Sequence, residues 1–165
     1  MKKLLLVRHA KSSWDYNELT DLERPLNKRG RRDAPFMAKV LSQQGFSPDL
    51  LISSPANRAV TTAKFFCEYL NFHFKNVKIE SKLYDATSDE IMEVICGVKN
   101  SFNNIMLFSH NPGLTELADH LSDKPIDNIP TCGIVAFGFN ITSWEQINNN
   151  NSKLLFYEYP KKYFK

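Results

Sequence analysis

The sequence predicts an α/β fold: a doubly wound, mostly parallel sheet with helices on both faces. Two observations predict it. Residues 4–7, 50–52 and 105–108 are short apolar runs without polar alternation, as in strands covered on both sides. Stretches with apolar residues at helical spacing alternate with them, which is the pattern of βαβ units. The first strand, 4–7, ends at Arg8-His9. In 33–44, Ala34, Met37, Val40 and Leu41 share one helical face, and Pro35 is expected near that helix's start, where a missing N–H is tolerated. The second strand ends at Ser53-Ser54-Pro55. A long apolar stripe then runs from Ala56 through Ala59, Ala63 and Cys67 to Leu70, with Pro55 expected in the first turn and Arg58 one turn in. Thr87 and Glu90 have capping-box spacing ahead of Ile91, Val94, Ile95 and Val98. The third strand ends at Ser109-His110-Asn111, and Pro112-Gly113 opens a helix carrying Leu114, Leu117, Ala118 and Leu121. Residues 134–139 and 153–159 alternate more and are expected as two strands nearer the sheet edge, joined across an asparagine-rich solvated turn at 148–151.

Length and composition set the bounds. At 165 residues, without an internal repeat or linker, one domain over 1–165 is expected. Apolar residues make up 42% and charged residues 24%, an ordinary globular balance. The net charge of +3 is too mild to argue for nucleic acid or a membrane as partner. The basic run Lys28-Arg29-Gly30-Arg31-Arg32 has no aromatic platform beside it, so nucleic acid is not expected there either. The apolar N-terminal run stops at Arg8, too short for a leader or a span. Cys67, Cys96 and Cys132 lack metal-ligand spacing and suit a reduced, cytoplasmic chain. A monomer is expected. His73 and His120 read as ordinary structural or surface histidines.

The chemistry gathers where the apolar strands end. In an open α/β sheet, ligands bind outside the carboxyl ends of the strands. If the three strands are neighbours, Arg8, His9, Arg58 and His110 meet in one crevice. Taken singly, each is an ordinary strand-end or helix residue. Three such placements, all basic or imidazole, suit a phosphoryl group. Arginine forks match phosphate oxygens, helix N-termini add N–H donors, and a neutral imidazole can attack phosphorus.

These residues stand in recognisable motifs. Leu6-Val7-Arg8-His9-Ala10-Lys11-Ser12 resembles the Arg-His-Gly signature of the histidine phosphatase superfamily, the phosphoglycerate-mutase-like fold, with Ala10 in place of glycine. Arg24-Pro25-Leu26-Asn27-Lys28-Arg29-Gly30 resembles that family's Pro-Leu-Thr-x-x-Gly segment. The motif beginning Ser53-Ser54-Pro55 and containing Arg58 resembles its second motif, and Ser109-His110-Asn111-Pro112-Gly113 its third. Short length, the His-Asn-Pro-Gly motif and Trp144-Glu145 resemble the SixA type of phosphohistidine phosphatase.

The resemblance implies that His9 is the nucleophile and becomes transiently phosphorylated. It implies that Arg8, Arg58 and His110 hold the phosphoryl oxygens. Lys11 and Ser12 are either phosphate contacts or rim residues. Asp85, after Leu83-Tyr84, is the candidate general acid; the alternative is a loop residue beside the Thr87 cap, with Glu80 next to test. Asn111 stands where acid phosphatases of the family have aspartate. No cofactor and no metal are expected. The expected substrate is phosphohistidine on a phosphotransfer or phosphocarrier protein. The alternatives are a small phosphorylated metabolite and, in another class, a non-catalytic phosphate- or phosphopeptide-binding module.

Overall fold

The computed structural model describes residues 1–164; Lys165, the last residue of the expected domain, lies outside the described residues. Six strands form one sheet: β1 (Lys2–Arg8), β2 (Leu50–Ser53), β3 (Lys78–Ile79), β4 (Asn104–Ser109), β5 (Ile134–Phe139) and β6 (Ser152–Glu158), in the order β3-β2-β4-β1-β5-β6. The pairs β1–β4, β2–β4 and β2–β3 are parallel, whereas β5 is antiparallel to both β1 and β6. Only β5 therefore runs against the rest.

Period-two alternation along the strands builds two cores. Leu5, Val7, Leu51, Met106 and Phe108 face α1 (Lys28–Gln43) and α2 (Asn57–Leu70). Leu4, Leu6, Ile52, Ile105 and Leu107 face α3 (Ser88–Cys96) and α4 (Gly113–Leu121). The sheet is thus covered on both faces, as the unbroken apolar runs predict. The Thr87–Glu90 capping box opens α3 as expected.

Four elements differ from the sequence reading. The first helix begins at Lys28, not near 33, because the Asn27 side chain accepts from the Gly30 N–H and caps it. Pro35 therefore lies inside the helix. It removes one intrahelical bond, and burial of Ala34, Met37, Ala38 and Leu41 outweighs that loss. Pro55 precedes the Ala56 N-cap instead of entering the first turn of α2. β5 is buried at every position because β6 takes the edge beyond it. The two-residue β3 has no apolar run to announce it, since both of its residues are exposed. The basic run forms the first turns of α1 and is tied internally: Arg31 donates to the Leu26 carbonyl at 2.7 Å and Arg32 to Asp33 at 2.8 Å. Trp144 is a core residue, its indole N–H donating to the Phe102 carbonyl. Among the described residues, no helix is long and apolar enough to cross a membrane.

Two glycines fix helix starts against the loops that follow strands. A Cβ on Gly30 would stand 2.2 Å from the Lys11 carbonyl oxygen, and one on Gly113 would stand 2.1 Å from that of Ala86. Both obstacles are backbone and cannot swing aside. Gly30→Ala should therefore cost about 1–3 kcal/mol in urea unfolding, despite alanine's better helix propensity. A stability gain would show that the contact can relax.

Candidate active site

The parallel pairing of β1 with β4 is the first positioning device. Arg8 lies opposite Ser109, so His9 and His110 leave the sheet side by side, ring centroids 5.1 Å apart. β2, on the other side of β4, delivers Ser53-Ser54 and then α2, whose first turn carries Arg58. The loop after His9 is strapped to α2. The Ala10 N–H donates to Thr62 Oγ1 at 2.9 Å, and that hydroxyl donates to the Arg58 carbonyl at 2.7 Å. On its other side the Cys132 N–H donates to the carbonyls of Arg8 and His9, with Cys132 at a positive φ of 62°. The structure thus brings the four residues expected at the site around one cavity of about 290 Å³.

A backbone carbonyl selects the His9 tautomer. His9 Nδ1 lies 2.8 Å from the Ala10 carbonyl, which can only accept. The proton therefore sits on Nδ1 and the lone pair on Nε2. His110 Nε2 lies 2.7 Å from Ser54 Oγ. Ser54 Oγ accepts the Ala56 N–H and keeps both a proton and a second lone pair for this ring, so the contact holds the imidazole in either neutral tautomer. Burial pushes the His9 pKa down to about 3, and the charges of His110, Arg58 and Arg8 push the same way. Burial, then Arg58, lowers His110 to about 4. Both rings are neutral at pH 7.

The arginines are held differently. Arg8 donates from Nη1 to the Ile129 carbonyl at 3.0 Å, while its Nε is buried without a partner among the described residues. Arg58 donates to the Asp21 carbonyl at 2.7 Å and to Asp21 Oδ2 at 3.1 Å. Arg24 is held at each of its three nitrogens, by the Ser13 carbonyl, Asp21 Oδ1 and Ser12 Oγ. Asp21 also accepts the Tyr84 hydroxyl at 2.6 Å. That bond, followed by the two arginines, holds the Asp21 carboxyl well below the usual carboxylate range. Asp21 is therefore an anion that braces Arg58, not a proton donor. Trp14 lies over the Arg24 guanidinium, 3.3 Å from the ring centroid, and is 71% exposed at the rim.

The remaining expected residues fall as follows. Lys11, Ser12 and Asp85 line the cavity. Asp85 sits at a positive φ of 54°, exposed. Glu80 is not in the cavity wall; its side chain caps the turn at Lys82 and faces Lys78. Asn111 lines the cavity with both ends of its amide occupied, by the Ile129 carbonyl and by Thr115. His73 and His120 lie outside it. Sequence reasoning missed Asp21, Tyr84 and the bracing role of Arg24. The Thr20–Glu23 capping box around Asp21 was the one available signal. Among the described residues no three His, Cys, Asp or Glu side chains are grouped to hold a metal ion.

The family model of the histidine phosphatase superfamily (branch 1) matches residues 4–91. An uncharacterized chloroplastic protein of Arabidopsis thaliana is 35% identical over 156 residues, 88% of this chain and 70% of that protein. A 2,3-bisphosphoglycerate-dependent phosphoglycerate mutase of Gloeothece citriformis is 40% identical over 65 residues, 38% of this chain and 28% of the mutase. The structure of a protein histidine phosphatase SixA complexed with tungstate superposes with a TM-score of 0.81 at 18% identity, covering 97% of this chain and 98% of that one.

The buried imidazoles make a pH prediction. In the free protein the His9 and His110 rings should stay neutral to about pH 4.5, read by NMR of the ring carbons. The unfolded chain takes up those protons near pH 6.5, so stability should fall as pH drops from there toward 4. A His9 midpoint near 6.5 would contradict the burial argument.

Proposed function

The chain belongs to the histidine phosphatase superfamily and is a phosphatase, and from that premise we propose that His9 is its nucleophile and a protein-borne phosphohistidine its substrate. The observation that carries the reading is the pair of neutral, buried imidazoles flanked by Arg8 and Arg58. The domain is taken to run over 1–165.

In the first step the His9 Nε2 lone pair attacks phosphorus and forms an N–P bond. The bond from phosphorus to the leaving group breaks, and its electron pair goes to that group. Arg8, Arg58 and His110 hold the three equatorial oxygens as charge spreads over them. In the second step water attacks, the N–P bond breaks, and its electron pair returns to Nε2. Inorganic phosphate leaves and the water proton passes to solvent. No step calls for a metal or cofactor.

The substrate class follows from the proton budget. An alkyl phosphate needs a positioned acid when its P–O bond breaks, whereas a phosphoimidazole is protonated beforehand and leaves without one. Asp21 is held ionised, Asn111 cannot donate a titrating proton, and Asp85 is exposed. This inventory favours an N–P substrate. The cavity is rimmed by the exposed Trp14, which suits a phosphoryl group presented on a protein surface. A small phosphorylated metabolite is the second reading, which cavity access also allows.

Rapid quench with labelled substrate should trap an acid-labile phosphate on His9, and His9→Ala should abolish turnover of p-nitrophenyl phosphate. Arg8→Ala and Arg58→Ala should each cost about 2–4 kcal/mol in kcat/KM, with poor rescue by lysine. EDTA should leave the rate unchanged. Retained activity in His9→Ala, or loss with EDTA restored by a divalent metal, would overturn the mechanism.

Asp85→Asn separates the two substrate readings. Without an acid role, all substrates change little and equally, and the enzyme is slow on alkyl phosphates and fast on phosphohistidine. If Asp85 is the acid, poor-leaving-group esters slow by roughly 10²–10⁴-fold while p-nitrophenyl phosphate is spared.

A further inference from the structure

A second cavity of about 220 Å³ adjoins the first. It lies between the first turns of α1, Thr131 and the C-terminal turn Pro160–Lys162. Thr131 is part of both cavity walls, so the two spaces are neighbours across one side chain. The second is cationic. Among the described residues its wall holds Arg29, Arg32 and Lys161 and one carboxylate, Asp33, which is buried and held by Arg32 at 2.8 Å and, more loosely, by Arg29 at 3.9 Å. Among the described residues the balance is three positive charges against one negative. The Arg29 and Arg32 side chains are each 50% exposed, and Lys161 is exposed with no ion-pair partner among the described residues. Arg29 also donates to Thr131 Oγ1 at 3.2 Å, which turns its guanidinium along the shared wall.

The rest of the wall is apolar. Phe164 packs beneath the Arg32 guanidinium, 4.0 Å from ring centroid to carbon, and two prolines flank it. Cations set against apolar walls match an anion on a short aliphatic stem. A bare inorganic ion would leave those walls uncovered, and a neutral side chain would leave the cations without a partner. An acidic side chain satisfies both.

We propose that this cavity is a docking subsite for a glutamate or aspartate flanking the phosphorylated residue of a protein substrate. The proposal rests on the phosphatase reading and adds the sequence class of the substrate: a phosphohistidine with an acidic neighbour. The phosphoryl group sits among Arg8, Arg58 and His110 in the first cavity, and residues of an extended segment, about 3.3 Å apart along the chain, carry the neighbour past Thr131 into the second. The subsite acts on capture of the substrate, not on the chemical step. Its effect therefore lies in kcat/KM through KM, and it weakens with ionic strength.

The test uses two synthetic phosphohistidine peptides, identical except that glutamates flank the histidine in one and glutamines in the other. p-Nitrophenyl phosphate, which has no second anion, is the common reference. The wild-type protein should favour the glutamate peptide by about three- to tenfold in kcat/KM at low salt, and the preference should shrink at high salt. Lys161→Glu should erase or reverse the preference and leave p-nitrophenyl phosphate turnover unchanged; Arg29→Gln should reduce it. Equal use of the two peptides alongside good p-nitrophenyl phosphate turnover overturns the subsite alone. Absence of turnover on every substrate overturns the phosphatase reading beneath it.

Discussion

The site hangs on the register between two parallel strands. Arg8 stands opposite Ser109, and each is followed by a histidine. A slip of one residue would turn one of the two imidazoles to the other face of the sheet and bury every strand residue on the wrong side. The register is held by burial on both faces, because Leu4 and Leu6 belong to one core and Leu5 and Val7 to the other. Side-chain packing far from the cavity thus sets the 5.1 Å spacing of two rings inside it.

Burial also sets the charge state. The same removal from water that keeps His9 and His110 neutral would penalise Arg8, Arg24 and Arg58 if they stood alone. Asp21 offsets part of that cost by accepting from both Arg24 and Arg58. Arg8, Arg24, Arg58 and Lys11 against Asp21 and Asp85 leave an excess of two positive charges in the wall, which matches a phosphoryl dianion, and neutral imidazoles add a donor and a nucleophile without adding charge. Each component thereby depends on the ionisation of the others.

The parts of this arrangement legible from sequence are those that end a strand. Arg8-His9, Ser53-Ser54 and Ser109-His110 interrupt unbroken apolar runs, and parallel strands end on one side of the sheet. Arg58 is legible through helical spacing after Pro55. The braces are not legible. Asp21 and Tyr84 are 63 residues apart and meet through irregular segments without periodicity. The early start of α1 is masked by a basic run and by Pro35, which local propensity counts against a helix, while a single Asn27 cap and tertiary packing decide for it. β3 is invisible because it consists of two exposed residues held by their neighbour.

The contacts at Gly30 and Gly113 bear on how such a protein changes its substrate. Each glycine presses a helix start onto a carbonyl, from Lys11 in one case and from Ala86 in the other, so the segment after His9 and the turn beside Asp85 are clamped at their backbones. The floor of the crevice has little room to drift. Among the described residues, no glycine holds the rim at Trp14 or at the C-terminal turn in this way. Sequence divergence can accumulate there without disturbing the phosphoryl cradle. A library confined to rim positions would explore leaving groups while keeping one reaction, and one spread into the floor would mostly return proteins that fail to fold.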